Sequence, residues 1–311
     1  MHLIALDRPW VCPAVSPMSI SSPDPTQSLN PRITPDFAQD PDQLRSGTPA
    51  RAIAVFDIDG VVRDVSRSYR RAIADTVEHF TQGAFRPSMD DIDRLKSEGI
   101  WNNDWLGSQE LTYRYFEGQG QSRQSIALDY DQVVDYFQRQ YRGQILTDPD
   151  RWDGYINQEP LLMERDYLQG LARAGIAWGF FSGATRGSAE YILQRRMGLA
   201  APPLVAMGEA PDKPDPQGLF QVVATLETVL RLPPHLPVIY AGDTVADLYT
   251  IAEARLQRAD RPWLAVGVLP PHVWEPADRR QAYGQRLRDA GADRLVDRIT
   301  DLTPGAILSM P

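Results

Sequence analysis

Four short stretches of the 311-residue chain carry the side chains best suited to chemistry: Asp57 with Asp59, Ser182 with Gly183, Lys213, and Asp243 with Asp247 four residues on. Three of them directly follow short apolar runs, Ala52 to Phe56, Ile176 to Phe181 and Val238 to Ala241, and the lysine lies in the loop after another, Leu204 to Met207. A short apolar run ending in polar residues reads as a buried parallel strand meeting a loop. Ligands of open parallel sheets bind outside the carboxyl ends of the strands, so the four stretches are expected to meet at one edge. Several carboxylates gathered there around one lysine would repel one another unless a cation joined them. A hard divalent ion answers that need. Mg²⁺ prefers one or two carboxylates, waters and a phosphate oxygen, which designates Asp57 and Asp243 as direct ligands. Asp247 lies one helical turn beyond Asp243 and is expected to complete or orient the metal shell. The Ser182 hydroxyl and the Gly183 amide at a strand-to-helix turn suit phosphate oxygens, and Lys213 adds a point charge for phosphate and acid alike. Asp59-Gly60 alone is an ordinary turn and Gly242-Asp243 alone an ordinary helix cap. The order and placement of all four stretches is what points to chemistry.

The elements that position these residues alternate. A fifth apolar run, Trp263 to Val268, follows the others, and helical patterns over Arg165 to Ala174, Ser188 to Met197, Gln217 to Arg231 and Ala246 to Gln257 fall between or beside them. Strand alternating with helix predicts an α/β fold with a Rossmann-like parallel sheet covered on both faces. A further helix, Asp278 to Ala290, leads into Arg294 to Ile299, an expected edge strand. The block from 64 to 160 shows helix candidates only, over Ser68 to Phe80, Ser108 to Gln119 and Asp131 to Arg142. It sits between the first two strands and is therefore expected as a helical cap over the sheet's carboxyl edge. Residues 50–63 and 161–311 are assigned to the α/β core. Residues 1–49, rich in Pro, Ser, Asp and Gln, cannot bury enough apolar surface to offset their ordering entropy and are expected to form a disordered tail.

Phe56-Asp57-Ile58-Asp59-Gly60-Val61-Val62, Phe181-Ser182-Gly183-Ala184-Thr185-Arg186, Lys213-Pro214-Asp215-Pro216 and Ala241-Gly242-Asp243-Thr244-Val245-Ala246-Asp247 resemble the haloacid dehalogenase superfamily. The likeness is to its branch with a helical cap after the first motif, the phosphoglycolate phosphatase and β-phosphoglucomutase-like subfamily IA, and it covers about residues 50 to 305. The resemblance implies that Asp57 is a nucleophile forming an aspartyl-phosphate, and that Asp59 is the general acid and base. It also implies that Asp59 lends the metal its backbone carbonyl. Dehalogenating relatives lack the second carboxylic acid, since halide leaves without a proton, so Asp59 favours phosphate esters. The implied activity is Mg²⁺-dependent hydrolysis of a small phosphorylated metabolite. The alternatives are a phosphomutase of sugar phosphates with the same core and a non-catalytic metabolite-binding protein.

The bulk composition bounds the partners. With 32 Lys and Arg against 41 Asp and Glu the net charge is −9, which repels polyanions, so neither nucleic acid nor an anionic membrane surface is expected as a partner. No run of 18 to 20 apolar residues or leader-like start is present, and the expected location is the cytoplasm. A single cysteine, Cys12, excludes an internal disulfide, and the four histidines lack metal-ligand spacing. Within the insertion, Trp101-Asn102-Asn103-Asp104-Trp105 sets amides and a carboxylate between two indoles. It suits either gripping a polar substrate or capping a helix beside core tryptophans. Arg63, with Ser66, Tyr69 and Arg70, is a candidate for the substrate's distal part. Arg186 is expected to reach an anion or to cap a helix, and Asn157 and Glu159 are placed at a hinge where the chain returns to the core.

Overall fold

The computed structural model describes Gln43, residues 49–96, Glu98, Trp101 and residues 103–310. The expected tail falls almost wholly outside these residues, as does Asn102.

β1 (Ala52–Phe56), β2 (Ile176–Phe181), β3 (Leu204–Val205), β4 (Val238–Gly242), β5 (Trp263–Val268) and β6 (Arg294–Val296) pair in parallel in the order β3-β2-β1-β4-β5-β6. Every residue of β1, β2, β4 and β5 is buried, as a parallel sheet covered on both faces demands. Successive side chains alternate between faces. Ala52, Ala54 and Phe56 of β1 therefore enter one apolar core while Ile53 and Val55 enter the other. α5 (Arg165–Arg173) and α6 (Arg186–Glu190) cover the first face through Leu168, Leu171 and Ala189. α7 (Gln217–Leu230), α8 (Val245–Gln257) and α9 (Ala277–Asp289) cover the second through Val222, Leu226, Leu248, Ile251 and Leu287. This three-layer arrangement is the Rossmann-like α/β fold that the alternating pattern predicts.

Between β1 and β2 the chain forms α1 (Tyr69–Phe80), α2 (Met89–Lys96), α3 (Asp104–Gly118) and α4 (Tyr130–Arg142). α4 shows why: Val133, Phe137 and Tyr141 recur every fourth residue and are fully buried. Each such burial stabilises the helix against its neighbours by about 1.5–3 kcal/mol. The Asp129 side chain accepts from the Gln132 amide at 2.9 Å and starts the helix, and Gly143, at φ +107°, ends it. The chain leaves and re-enters the sheet by two linkers paired with each other. Arg63 bridges Leu161 in antiparallel fashion, the Asp64 amide donates to Pro160 O at 2.9 Å, and the Leu162 amide donates to Val62 O at 2.8 Å.

Local differences from the sequence reading have local causes. β3 stops at Val205 because the Ala206 amide donates to the Glu209 carboxylate, at 3.0 Å, instead of extending the ladder. The helix expected over Ser188 to Met197 begins at Arg186 and widens into a π-helical turn over Tyr191–Arg196. α2, not anticipated, offers only Ile92 and Leu95 as buried positions in a charged segment. α3 begins four residues early because the Asn103 side chain accepts from the amides of Trp105 and Leu106 at 2.9 and 3.2 Å. Among the described residues no helix is long and apolar enough to cross a membrane.

Candidate active site

β2, β1 and β4 are neighbours in the sheet, so the residues that follow them emerge side by side. Asp57 is the first residue beyond β1, and its amide donates to Ala241 O at 2.9 Å, tying the end of β1 to β4. Asp57, Asp243 and Asp247 each bring a carboxylate oxygen to within 4.8 Å of the others. Two glycines make that crowding feasible. Gly60 takes φ +76°, and a Cβ there would stand 2.1 Å from Asp243 Oδ2. A Cβ on Gly242 would stand 2.3 Å from Asp247 Cβ.

Asp247 lies in the first turn of α8 and is fully buried. Its Oδ2 accepts from the Thr244 amide at 2.9 Å and from the Thr244 hydroxyl at 2.6 Å, closing a capping box whose second half is the Thr244 hydroxyl accepting from the Asp247 amide. Its Oδ1 accepts from Lys213 Nζ at 2.6 Å. The Tyr240 hydroxyl lies 3.0 Å from both Asp247 Oδ1 and Phe181 O, and donates to one at a time. Lys213 Nζ is also 3.0 Å from Asp57 Oδ1. The lysine in the loop beyond β3 thus spans the nucleophile candidate and the fourth motif's acid.

Charge in this pocket is under-compensated. Three buried carboxylates share one buried ammonium. Burial pushes Asp57 up to about 6, against the pull of Lys213 and with the help of Asp247 and Asp59. Burial and then the charges of Asp247 and Asp57 push Asp243 well above the usual carboxylate range. Burial acts on Asp247 in the same sense, but Lys213 and the Thr244 donors outweigh it and hold its carboxyl low. Lys213 is held above its ordinary value because Asp247 and Asp57 outweigh its own burial.

The donor set fits a hard divalent cation. It is all oxygen, it carries surplus negative charge, and Asp57 Oδ1 is buried without an aligned hydrogen bond. Asp57 and Asp243 retain oxygens for such an ion, since no described residue donates to the Asp243 carboxylate. Both oxygens of Asp247 are already engaged, so it fits the role of orienting Lys213 and the shell better than that of a direct ligand.

Ser182 is buried at the end of β2, where its hydroxyl accepts from the Ala184 amide at 3.1 Å and fixes the turn. A Cβ built on Gly183 would meet nothing within 4 Å, so open space faces that turn. The outer candidates are placed differently. Arg186 is engaged by Glu209 and Glu190 and by the Leu204 carbonyl at 3.0 Å, which ties α6 to β3. Asn103 caps α3 and Asp104 pairs with Lys96, while Trp101 and Trp105 pack on the apolar core, the helix-cap alternative of the sequence reading.

Arg63 departs furthest from expectation: it has no exposed surface. Its Nε donates to Asp59 Oδ1 at 2.6 Å, and its other nitrogens donate to the Tyr141 hydroxyl at 2.7 Å, Glu159 Oε2 at 3.0 Å and the Tyr69 hydroxyl at 3.3 Å. Ser68 donates to the second oxygen of Glu159. Burial pushes Glu159 up to about 7 against the pull of Arg63. The guanidinium therefore pins Asp59 to both linkers and to α1 and α4, and it does not face solvent. Sequence reasoning missed Thr244, Tyr240 and Tyr141 as partners. Thr244 was findable, because Thr-x-x-Asp directly after an apolar strand is a capping-box pattern. The two tyrosines carry no such signal.

Comparison with known proteins agrees with this geometry. Residues 52–255 match the model of the haloacid dehalogenase-like hydrolases. Among solved structures, the phosphatase Tt82 from Thermococcus thioreducens is 22% identical, with a TM-score of 0.54 over 69% of this chain and 92% of that one. A phosphonoacetaldehyde hydrolase-like protein from Oleispira antarctica is 21% identical, with a TM-score of 0.55 over 83% of this chain and 92% of that one. At such identities the likeness is one of fold. An imidazoleglycerol-phosphate dehydratase from Phytophthora nicotianae is 29% identical over 265 residues, which are 83% of this chain and 51% of that protein. The chain thus spans about half the length of that curated relative. With its fold, its acid-rich sheet edge and a family match across most of its length in agreement, the chain belongs to the haloacid dehalogenase-like hydrolases.

Proposed function

We propose that the protein is a Mg²⁺-dependent phosphatase of a small phosphorylated metabolite, acting through an aspartyl-phosphate on Asp57. The observation that carries this reading is the convergence of Asp57 with Asp243 and Lys213 Nζ, 3.0 Å from Asp57 Oδ1, beside a Ser182-Gly183 turn that faces open space. Asp57 attacks phosphorus and the ester bond to the leaving oxygen breaks. Asp59 gives that oxygen its proton, then takes one from the water that cleaves the aspartyl-phosphate. Arg63 occupies only Oδ1 of Asp59, and no described residue donates to Oδ2, which leaves that oxygen for proton transfer. Ser182, the Gly183 amide and Lys213 hold the phosphoryl oxygens. Asp57, Asp243 and the Asp59 carbonyl would hold the metal, with Asp247 orienting the shell; when bound, the ion neutralises charge on the phosphoryl group. Residues 64–160 act as a cap, a reading supported by their place between β1 and β2 and by the paired linkers at their base.

Release of inorganic phosphate from a panel of sugar, nucleotide and organic-acid phosphates tests this proposal, with and without Mg²⁺ and with Asp57→Asn as control. Mg²⁺-dependent release that the variant lacks is expected. Retained activity in Asp57→Asn contradicts the assigned nucleophile. Isomerised sugar phosphate in place of free phosphate would select a phosphomutase, and silence across the panel a binding protein.

A further inference from the structure

A second cleft, of about 330 Å³, lies where the helical insertion meets the core, and its walls are basic. Arg67 reaches it from the turn before α1, Arg70 from the first turn of α1, and Arg279 from α9; Ser66, Asp64 and His272 complete the lining that matters here. In a chain of net charge −9, three guanidinium groups on one concavity are a local reversal of sign. Arg70 and Arg279 share a single counter-ion, Asp93 of α2. Asp64 accepts from the Ser66 amide at 2.9 Å. Arg67 is exposed and has no acidic partner among the described residues. Three cations against two acids leave a positive surplus, concentrated on Arg67, which no described acid holds. Burial, then the charge of Arg70, pushes His272 down to about 4, so near neutrality it lines the cleft as an uncharged imidazole.

The cleft adjoins the acid pocket. Asp64 and Ser66 follow the β1 loop that bears Asp57 and Asp59, and His272 follows the carboxyl end of β5, the neighbour of β4. Tyr283 touches both places: its hydroxyl donates to Asp243 O at 2.9 Å, and its ring packs edge-on to His272 with centroids 6.2 Å apart. Arg279 lies one helical turn before Tyr283, on the same side of α9.

We infer that this cleft is a second anion subsite, which takes a carboxylate or a second phosphate at the far end of the phosphate ester bound over Asp57. The inference rests on the phosphatase reading and deepens it: the substrate is anionic at both ends, whereas esters with neutral tails lack the second anchor. Planar guanidinium groups suit either terminal anion through paired charge-assisted hydrogen bonds.

The test compares kcat/KM for 3-phosphoglycerate, propane-1,3-diol bisphosphate and glycerol 3-phosphate, three short esters that end in a carboxylate, a phosphate and a hydroxyl. At least one anionic tail is expected to be preferred over glycerol 3-phosphate by roughly tenfold or more, and which one identifies the group. Arg67→Gln, at an exposed side chain free of ion pairs, is expected to collapse that ratio, and Arg67→Glu to invert it. Equal treatment of all three esters by an active wild-type enzyme overturns the subsite and leaves the phosphatase reading standing, as does a preference that survives in Arg67→Glu. Calorimetric binding of the same esters to Asp57→Asn protein gives an arm independent of turnover. If none of the three is hydrolysed, this calorimetric arm decides the subsite by itself: tighter binding of an anionic tail supports it and equal affinities overturn it, while the phosphatase reading is decided on the wider panel.

Discussion

At the sheet's edge Asp57, Asp243 and Asp247 share one buried ammonium, whereas at the base of the helical insertion four side chains close around the single guanidinium of Arg63. Both places bury charge, and both draw on acids delivered by distant parts of the chain. They differ in what is left over. Around Arg63 the donors meet acceptors and both oxygens of Glu159 are occupied. At the edge, Asp57 Oδ1 lacks an aligned hydrogen bond and no described residue donates to the Asp243 carboxylate. A satisfied buried network holds structure in place. One that stays short of positive charge is suited to a cation.

Breaking the edge should therefore abolish chemistry, and breaking the base should cost stability. The largest effect expected is in Asp57→Asn, which lowers kcat by roughly 10⁴-fold while the far-ultraviolet circular dichroism stays that of wild type; phosphate release and spectra check both halves. Arg63→Ala comes next. It strands Glu159 and frees Asp59, and removing one partner of a buried pair costs about 3–5 kcal/mol, to be read from urea denaturation. If Arg63→Ala leaves stability within about 1 kcal/mol of wild type, the network is not the structural joint described above.

The titration of Asp57 sharpens the comparison further. Burial pushes its carboxyl up to about 6 from the ordinary 3.8, so the folded state favours the protonated acid. Above pH 6 the buried carboxylate is ionised at a cost, and that cost is relieved as pH falls from 6 toward 4. Metal-free protein is thus expected to gain up to roughly 3 kcal/mol from this group over that window. Glu159, raised from 4.5 to about 7, adds in the same direction between those values. Comparing thermal unfolding of wild type with Asp57→Asn isolates the first contribution, and a metal-free wild type with the same pH slope as the variant would contradict it. The smallest effect is expected at Asn103→Ala, where the loss of a helix cap costs about 1 kcal/mol. Turnover should stay within about twofold of wild type; a selective rise in KM would return Asn103 to the substrate.

The same contrast decides what was legible in the sequence. Ile53 to Phe56 and Ile176 to Phe181 are apolar because both faces of a parallel strand are buried, so the strand, its end and the acid beyond it could be read together. The site at the edge was legible because the backbone alone fixes where Asp57, Ser182 and Asp243 emerge. The insertion has no such rule. Arg63 follows the first motif as closely as a substrate-facing residue would, and only packing of α4 and the return linker sets it inward against Tyr141 and Glu159. Asn103 and Asp104 were equally readable as substrate contacts or as the start of a helix, since an amide beside a carboxylate serves both ends. Arg186 stands next to the Ser182-Gly183 turn in the chain yet is drawn away by Glu209, a partner 23 residues distant.

The proposed covalent step is open to direct measurement. Protein quenched in acid during turnover and reduced with borohydride converts an aspartyl-phosphate to homoserine, which peptide mass spectrometry locates. Homoserine at position 57, absent without substrate and without Mg²⁺, is the result predicted. Homoserine at Asp59 or Asp243, or none during steady turnover, would contradict the role assigned to Asp57.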